Sequence, residues 1–437
     1  MTQATEELTS DEVRVQIHHK PACRIEMNVK TTPKMVADAR KNAIKAVGKE
    51  VSLPGFRKGR APDEMIIKKF PADVDKQMNK AIADLAFVAA QKMAKVPVLN
   101  NNAPISFDMK SQTEEGAELV FSFETEPKVP SVDALAFKAK PVVKAEVADK
   151  QIDEAIRQMR FFYAQWKPVS DRPIQDGDYI MIDLDTVEGE EVTQVFHHIR
   201  FEVSKDRMAN WMKKLVVGAK AGDVLNGVSE PDDTATEEEK KEFKPKNIRL
   251  TLLKVEEAVL PELDDEFAKK VGANDVAHMR ESITGLLNKQ ADDKVQTELH
   301  EQVNDYLVEN YTFELPQSLI DTEKKHRFGQ LMQDPKFKGK WNKMSQDERK
   351  EFEDRLVDEA SQAVRLFYLS RHIVQEAKIP ITHQEVQQEA ISIYQSHGAK
   401  NVEIDKMPKE IYALALSKVM LTKAQDHVLK SSDDKKA

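Results

Sequence analysis

Ser52-Leu53-Pro54-Gly55-Phe56-Arg57-Lys58-Gly59-Arg60-Ala61-Pro62 is the stretch from which the rest of the chain can be ordered. It sets one aromatic between two glycines, adds three cations and carries a proline near each end. The glycines permit a sharp tip and the prolines stiffen its flanks. Two readings follow from these residues alone. Phe56 either points outward as an anchor for a partner, or tucks into a local core as part of an ordinary interhelix turn. In the first case its burial on binding is worth about 1.5–3 kcal/mol. Arg57, Lys58 and Arg60 then add salt-dependent attraction to phosphates.

Both flanks of the loop are helical in pattern. Lys34 to Lys49 follows Pro33, a residue suited to a helix start. Glu64 to Lys95 carries apolar residues from Ile66 to Val88 and is broken or kinked at Pro71. Outside them lie alternating runs, Val13-Val15-Ile17 and Ile25-Met27-Val29 before, Ile105 to Met109 and Glu118 to Thr125 after. The expectation is an α+β domain of strands, helix, loop, helix and strands.

Charge singles out the same region. The chain has 437 residues and a formal net charge of −9, which argues against a general nucleic-acid binder. Yet Lys34 to Lys69 holds ten basic residues (Lys34, Arg40, Lys41, Lys45, Lys49, Arg57, Lys58, Arg60, Lys68, Lys69). Four acidic ones oppose them (Asp38, Glu50, Asp63, Glu64). A local excess of that sign implies a large anionic partner for that end alone.

Length and composition bound the remainder. A chain of 437 residues exceeds one core, so about three domains are expected. Its 14 glycines are roughly half the usual share, and neither G-x-G-x-x-G nor G-x-x-x-x-G-K-[ST] occurs. No nucleotide or other cofactor is implied. The single cysteine, Cys23, excludes an intrachain disulfide framework and fits a reducing compartment. Met1 to Asp11 is polar and acidic without an apolar leader core, and no apolar run reaches membrane-spanning length. A cytoplasmic protein without a membrane partner is expected.

Beyond the first domain, residues 128–172 form an extended connector (Val129-Pro130, Pro141-Val142-Val143) and a helix from about Asp149 to Trp166, expected to pack on the C-terminal body. Residues 173–259 follow as a compact β section opened by Asp176-Gly177-Asp178. Its strands are Tyr179 to Asp185, Val195 to Val203 and Asn247 to Val255, with a short helix near Met208 to Val216. From 260 to 437 the pattern is helical. Ile283, Leu287, Ala291, Val295, Leu299, Val303 and Leu307 recur every four residues. So narrow a stripe predicts a long protruding helix.

Gly55-Phe56-Arg57-Lys58-Gly59-Arg60-Ala61-Pro62 resembles the G-F-R-x-G-x-x-P signature of the bacterial trigger factor family, the ribosome-associated chaperones. The resemblance extends to the Trp166-Lys167 junction, to Asp176-Gly177-Asp178, to Leu260-Pro261-Glu262-Leu263 and to Leu315-Pro316-Gln317-Ser318-Leu319-Ile320-Asp321. It implies a multidomain α+β fold: a ribosome-binding domain over 1–127, an FKBP-like prolyl isomerase domain over 173–259 and an all-α chaperone body with arms over 260–437. It also implies that Phe56, Arg57 and Lys58, between Gly55 and Gly59, dock on the large ribosomal subunit beside the polypeptide exit. Nascent unfolded polypeptides would be the clients, and family members can form homodimers off the ribosome.

Where the resemblance places an isomerase pocket, the chemistry is depleted. Such pockets lower the amide rotation barrier, about 18–20 kcal/mol, by desolvating it among aromatics. Here the positions read Leu184, Val192, Met208, Ala209, Trp211, Met212, Thr234 and Ile248, with Phe196 nearby and a charged flap from Ser229 to Lys246. Reduced isomerase activity is expected, with an active isomerase delivered to nascent chains as the rival. A second rival, an RNA-binding module using 34–69, lacks interleaved aromatic platforms.

Met332, Met344, Phe328, Phe337, Leu366, Phe367, Met407 and Met420 supply flexible apolar side chains for client contact, or plain helix core. His18-His19 and His197-His198 are adjacent pairs. In regular strands such neighbours face opposite ways, so no metal site is expected of them. Neither H-E-x-x-H, C-x-x-C nor G-x-S-x-G is present.

Overall fold

The computed structural model describes residues 5–100, 104–189, 191–231, 243–396 and 407–433. It contains two five-stranded antiparallel sheets and a large helical part, a multidomain α+β fold. Two compact units emerge. The first joins residues 1–142 with 297–437, and the second is 143–296.

In the first unit the sheet runs in the order β1 (Thr5–Thr9), β2 (Val13–Lys20), β3 (Arg24–Thr31), β5 (Gly116–Glu124), β4 (Ser106–Thr113). Alternation aims Val13, Val15, Ile17, Ile25, Met27 and Val29 at one face, all 0–1% exposed. Helices α1 (Pro33–Glu50) and α3 (Pro71–Ala94) cover that face through Val36, Ala39, Ala43, Ile82, Ala86 and Ala90. Alanines at the contact let the helices lie close to the sheet. Between them, α2 (Asp63–Lys69) ends at Phe70, and Pro71 begins α3. The expected break falls there because proline has no N–H to continue the ladder. The polar strand β1 was not foreseen; it pairs Leu8 with Val15 at the sheet's edge, where polar residues suffice.

The helical part of this unit comprises the end of α7 (Val276–Asn310), α8 (Gln317–Leu331), α9 (Pro335–Lys343), α10 (Gln346–Glu376), α11 (His383–Ser396) and α12 (Lys409–Asp433). Residues 128–142 contribute Phe137, 5% exposed, to a core with Val303, Leu307, Leu369, Ile373, Ala424 and Val428. Glu124 of the sheet accepts the Ser318 N–H at 3.3 Å and its hydroxyl, and Arg371 pairs with Glu126 at 3.0 Å. Along α7, Ile283, Val303 and Leu307 are buried while Ala291, Val295 and Leu299 are only half-buried. The central turns of that stripe are therefore not covered on several sides.

In the second unit β10 (Asn247–Val259) is the axis. It pairs with β7 (Tyr179–Glu188) along one side, and with β6 (Gln165–Pro168) and β9 (Val224–Val228) along the other. β8 (Glu191–Glu202) completes the sheet on β7, and α5 (Asn210–Val216) packs on it through Met212 and Val216. The helix expected to reach Trp166 stops earlier: α4 is Asp149–Phe162, and Trp166 lies in β6 opposite Ala258. There its ring meets Tyr179 at 5.1 Å and the Arg200 guanidinium at 3.9 Å, contacts that outweigh helix continuation. α4 buries Ile152 and Ile156 against Phe267 of α6 (Asp265–Lys270) and against Met279 and Ile283 of α7. Arg172 holds the buried Asp178 through two bonds of 2.6 and 2.8 Å, and the Gln175 N–H adds a third at 2.8 Å. This closes the turn at Asp176-Gly177-Asp178, where Gly177 takes φ +92°.

Candidate functional site

The 52–62 loop is two successive tight turns with a fixed base. Leu53 accepts the Phe56 N–H at 3.0 Å, with Pro54 and Gly55 as the central residues. Gly55 at φ +86° has the left-handed conformation that the third position of a type II turn requires. Arg57 accepts the Arg60 N–H at 2.9 Å around Lys58 and Gly59, the latter at φ +80°. Leu53 itself is 6% exposed, packed with Ile44, Val47, Ile66 and Val74. Buried leucine at the base and glycine at each bend together hold the tip in one conformation.

What the tip presents is cationic with one aromatic. Residues 54–60 are all exposed, and Phe56 is 39% exposed. The ring is exposed and is not part of the local core of Leu53, Ile44, Val47, Ile66 and Val74. Part of the ring is already covered, so full burial gains about 1–2 kcal/mol. A micromolar complex needs about 8 kcal/mol, so burial of Phe56 by itself would fall well short of one. Among the described residues, only Arg40 of the ten basic side chains in 34–69 has an ion-pair partner, Glu114 at 3.6 Å. Arg57, Lys58 and Arg60 are therefore available to an anionic surface.

The second expected site is assembled differently. Leu184, Met208, Met212 and Ile248 are 3–5% exposed and sit within one cluster with Ile182, Leu250 and Val216. They fill the domain's core rather than line an open cleft. Trp211 and Phe196 lie half-buried against that cluster, and Ala209 is half-exposed just before α5. Val192 stands apart, 50% exposed on the β7–β8 hairpin opposite Val187. Thr234 and most of the expected flap lie outside the described residues.

Among the helices, Phe328 and Phe337 do not stand alone. They gather with Trp341 and Phe352 at ring distances of 4.9–6.2 Å, and Arg349 covers Trp341 at 5.4 Å. The aromatic spacing across α8, α9 and α10 carried that signal, but the pairing needs the helices' turns to be known. Phe367 is 37% exposed, Met407 is buried, and Leu366 and Met420 pack half-buried against the main helical core. Met332 and Met344 are half-buried.

Sequence reasoning missed the environment of Cys23. Its thiol donates to the Glu314 carbonyl at 3.2 Å, and burial, reinforced by the charges of Glu314 and Glu124, pushes its pKa up to about 11. It also misjudged His197-His198. The strand is irregular there, and both rings turn toward Asp183. His18 and His19 remain apart from any such cluster among the described residues.

Residues 13–159 match the family model described as bacterial trigger factor protein, and residues 275–423 match that described as the C-terminus of the same protein. The trigger factor of Protochlamydia amoebophila is 26% identical over 430 residues, covering 96% of this chain and 97% of that protein. The trigger factor of Chlamydia pneumoniae is 25% identical over 447 residues, with 98% and 97% covered. That of Pseudoalteromonas atlantica is 29% identical over 290 residues, 65% of each chain. A solved structure reported under promiscuous substrate recognition in folding and assembly activities of the trigger factor chaperone superposes with a TM-score of 0.52. It is 20% identical and covers 95% of this chain and 99% of its own, which supports the fold.

Proposed function

Because the chain belongs to the bacterial trigger factor family, we propose that it docks on the large ribosomal subunit beside the polypeptide exit through Phe56, Arg57 and Lys58. It is a ribosome-associated chaperone that binds ribosomes and nascent chains. The observation that carries the docking assignment is the tip itself, an exposed aromatic flanked by unpaired cations on a loop locked at its base. Gly55 and Gly59 set the shape, and the cations meet rRNA phosphates.

Residues 1–127 dock, 128–172 connect, 173–259 form the isomerase-like domain and 260–437 hold clients. Docking raises the local concentration of weak apolar sites around the emerging chain, so individually modest contacts suffice. Delayed collapse and less aggregation follow. Release follows from weak affinity without a nucleotide, the setting is the cytoplasm, and off the ribosome the protein forms a homodimer. No helix among the described residues is long and apolar enough to cross a membrane.

The isomerase-like domain works mainly as a scaffold. Its candidate pocket side chains Leu184, Met208, Met212 and Ile248 are committed to the core, leaving Trp211 and Phe196 as the aromatic remainder. Cosedimentation of the full chain with ribosomes across a salt series tests the function. Binding that weakens steadily with salt supports the proposal, since each phosphate contact contributes about 0.7–0.9 to the log–log slope. Absence of ribosome binding at low salt overturns it.

A further inference from the structure

β8 carries an extra residue where it faces Asp183. Ile182 pairs with Ile199 and Leu184 with Phe196, so Asp183 alone opposes both His197 and His198. A two-against-one bulge breaks the alternation that sends neighbouring side chains to opposite faces. His198 takes φ +52°, a left-handed conformation that costs a non-glycine residue backbone strain. Its N–H donates to Asp183 Oδ1 at 2.7 Å, which fixes the carboxylate beneath the two rings.

Three ligand-type atoms thereby converge. Asp183 Oδ1 lies 3.0 Å from His197 Nδ1 and 3.3 Å from His198 Nδ1, and the two Nδ1 atoms are 3.1 Å apart. We propose that Asp183, His197 and His198 form a binding site for a first-row divalent metal ion of the zinc and nickel type.

The spacing supports an ion at the centre. Ligands held about 2.0–2.1 Å from a metal lie about 3.0 Å apart at octahedral right angles and about 3.3 Å apart at tetrahedral ones. All three observed separations fall within or at the ends of that interval. Oδ1 already accepts the His198 N–H, and its remaining lone pair faces two ring nitrogens at 3.0 and 3.3 Å. An ion accepts a lone pair from each of the three groups at once. Two imidazoles with one carboxylate select borderline ions over magnesium or calcium. A half-turn of the Gln194 amide, whose nitrogen is 3.1 Å from His197 Nδ1, would offer an oxygen as a fourth ligand. Among the described residues no other group of three such side chains converges in this way.

The placement has a mechanical consequence. Leu184 and Phe196, next in sequence to Asp183 and His197, point into the domain core. An ion on the other side of the sheet would clamp β7 to β8 at the bulge and stiffen the wall that those two side chains form.

The test is calorimetric titration of the metal-free full-length chain with zinc chloride and nickel chloride, beside His197→Ala, Asp183→Asn and His198→Gly. Glycine suits φ +52°, so His198→Gly removes the ligand while relieving strain, and the variant keeps its fold. The expected result is one ion bound per chain with micromolar affinity, weakened on the order of 10–100-fold in each variant. Cobalt substitution should add ligand-field absorption that the variants lose. The chain has eleven histidines, so undiminished binding in all three variants would place the ion elsewhere and overturn the proposal. Failure of the wild-type chain to bind either metal would overturn it equally.

Discussion

Gly59 donates its N–H to the carbonyl of Gly48 at 3.0 Å, which ties the tip of the cationic loop to the last turn of α1. Through that bond the aromatic and its cations are presented by the domain rather than by a free loop. No atom lies within 4 Å of where a side chain at Gly59 would begin, so the constraint there is conformational. Gly59→Val must abandon φ +80° or absorb about 1–2 kcal/mol of strain. The expected outcome is ribosome affinity reduced several-fold with the thermal midpoint of the chain nearly unchanged. Unaltered affinity would show that loop shape is immaterial.

The Arg172–Asp178 pair makes a stability prediction. Asp178 is 3% exposed, so Asp178→Ala removes a three-bond anchor and should destabilise the 143–296 unit by about 2–4 kcal/mol. Burial opposes ionisation of Asp178, but the Arg172 and Gln175 bonds prevail and hold its pKa below the ordinary 3.8. A carboxylate depressed in the folded state stabilises fully above its unfolded pKa. That contribution is lost as pH falls from about 4 toward the lower folded value. Acid unfolding of the wild type should therefore show a loss in that window that Asp178→Ala lacks. Parallel acid profiles for the two proteins would contradict the assignment.

Cys23 should be a slow nucleophile. With its pKa near 11, the thiolate fraction at pH 7.5 is about two to three orders of magnitude below that of an ordinary cysteine at about 8.5. Alkylation by iodoacetamide should be slowed correspondingly and should accelerate with pH beyond 9. Rates matching those of a free thiol peptide would mean that the Glu314 contact is not kept in solution.

Isomerase activity offers the test of the middle domain. With Leu184, Met208, Met212 and Ile248 buried in its core, a proline tetrapeptide assay should give turnover on the order of 100-fold below an active FKBP, equivalent to about 3 kcal/mol of transition-state stabilisation. Comparable turnover would restore the delivered-isomerase reading.

Much of the fold was legible because burial on one face imposes a period. Val13-Val15-Ile17 and Ile25-Met27-Val29 announced their strands, Pro33 marked a helix start and Pro71 a break between helices. β1 and β6 were not legible, since edge strands bury little and leave no alternation to detect. The 52–62 loop was readable for a related reason: glycine, proline and charge act locally, and both positive φ angles fall on glycines the sequence displays. The Asp183–His197–His198 cluster was hidden because it depends on a one-residue bulge, which no periodicity encodes. The same holds for Cys23, whose partner Glu314 is 291 residues away.

The most direct measurement is ribosome cosedimentation of Phe56→Ala/Arg57→Ala/Lys58→Ala at physiological salt, beside the wild type. Loss of one anchor and two cations should remove about 2–4 kcal/mol, a fall in affinity on the order of 100-fold, with the fold intact by circular dichroism. Binding retained at the wild-type level would contradict the docking assignment.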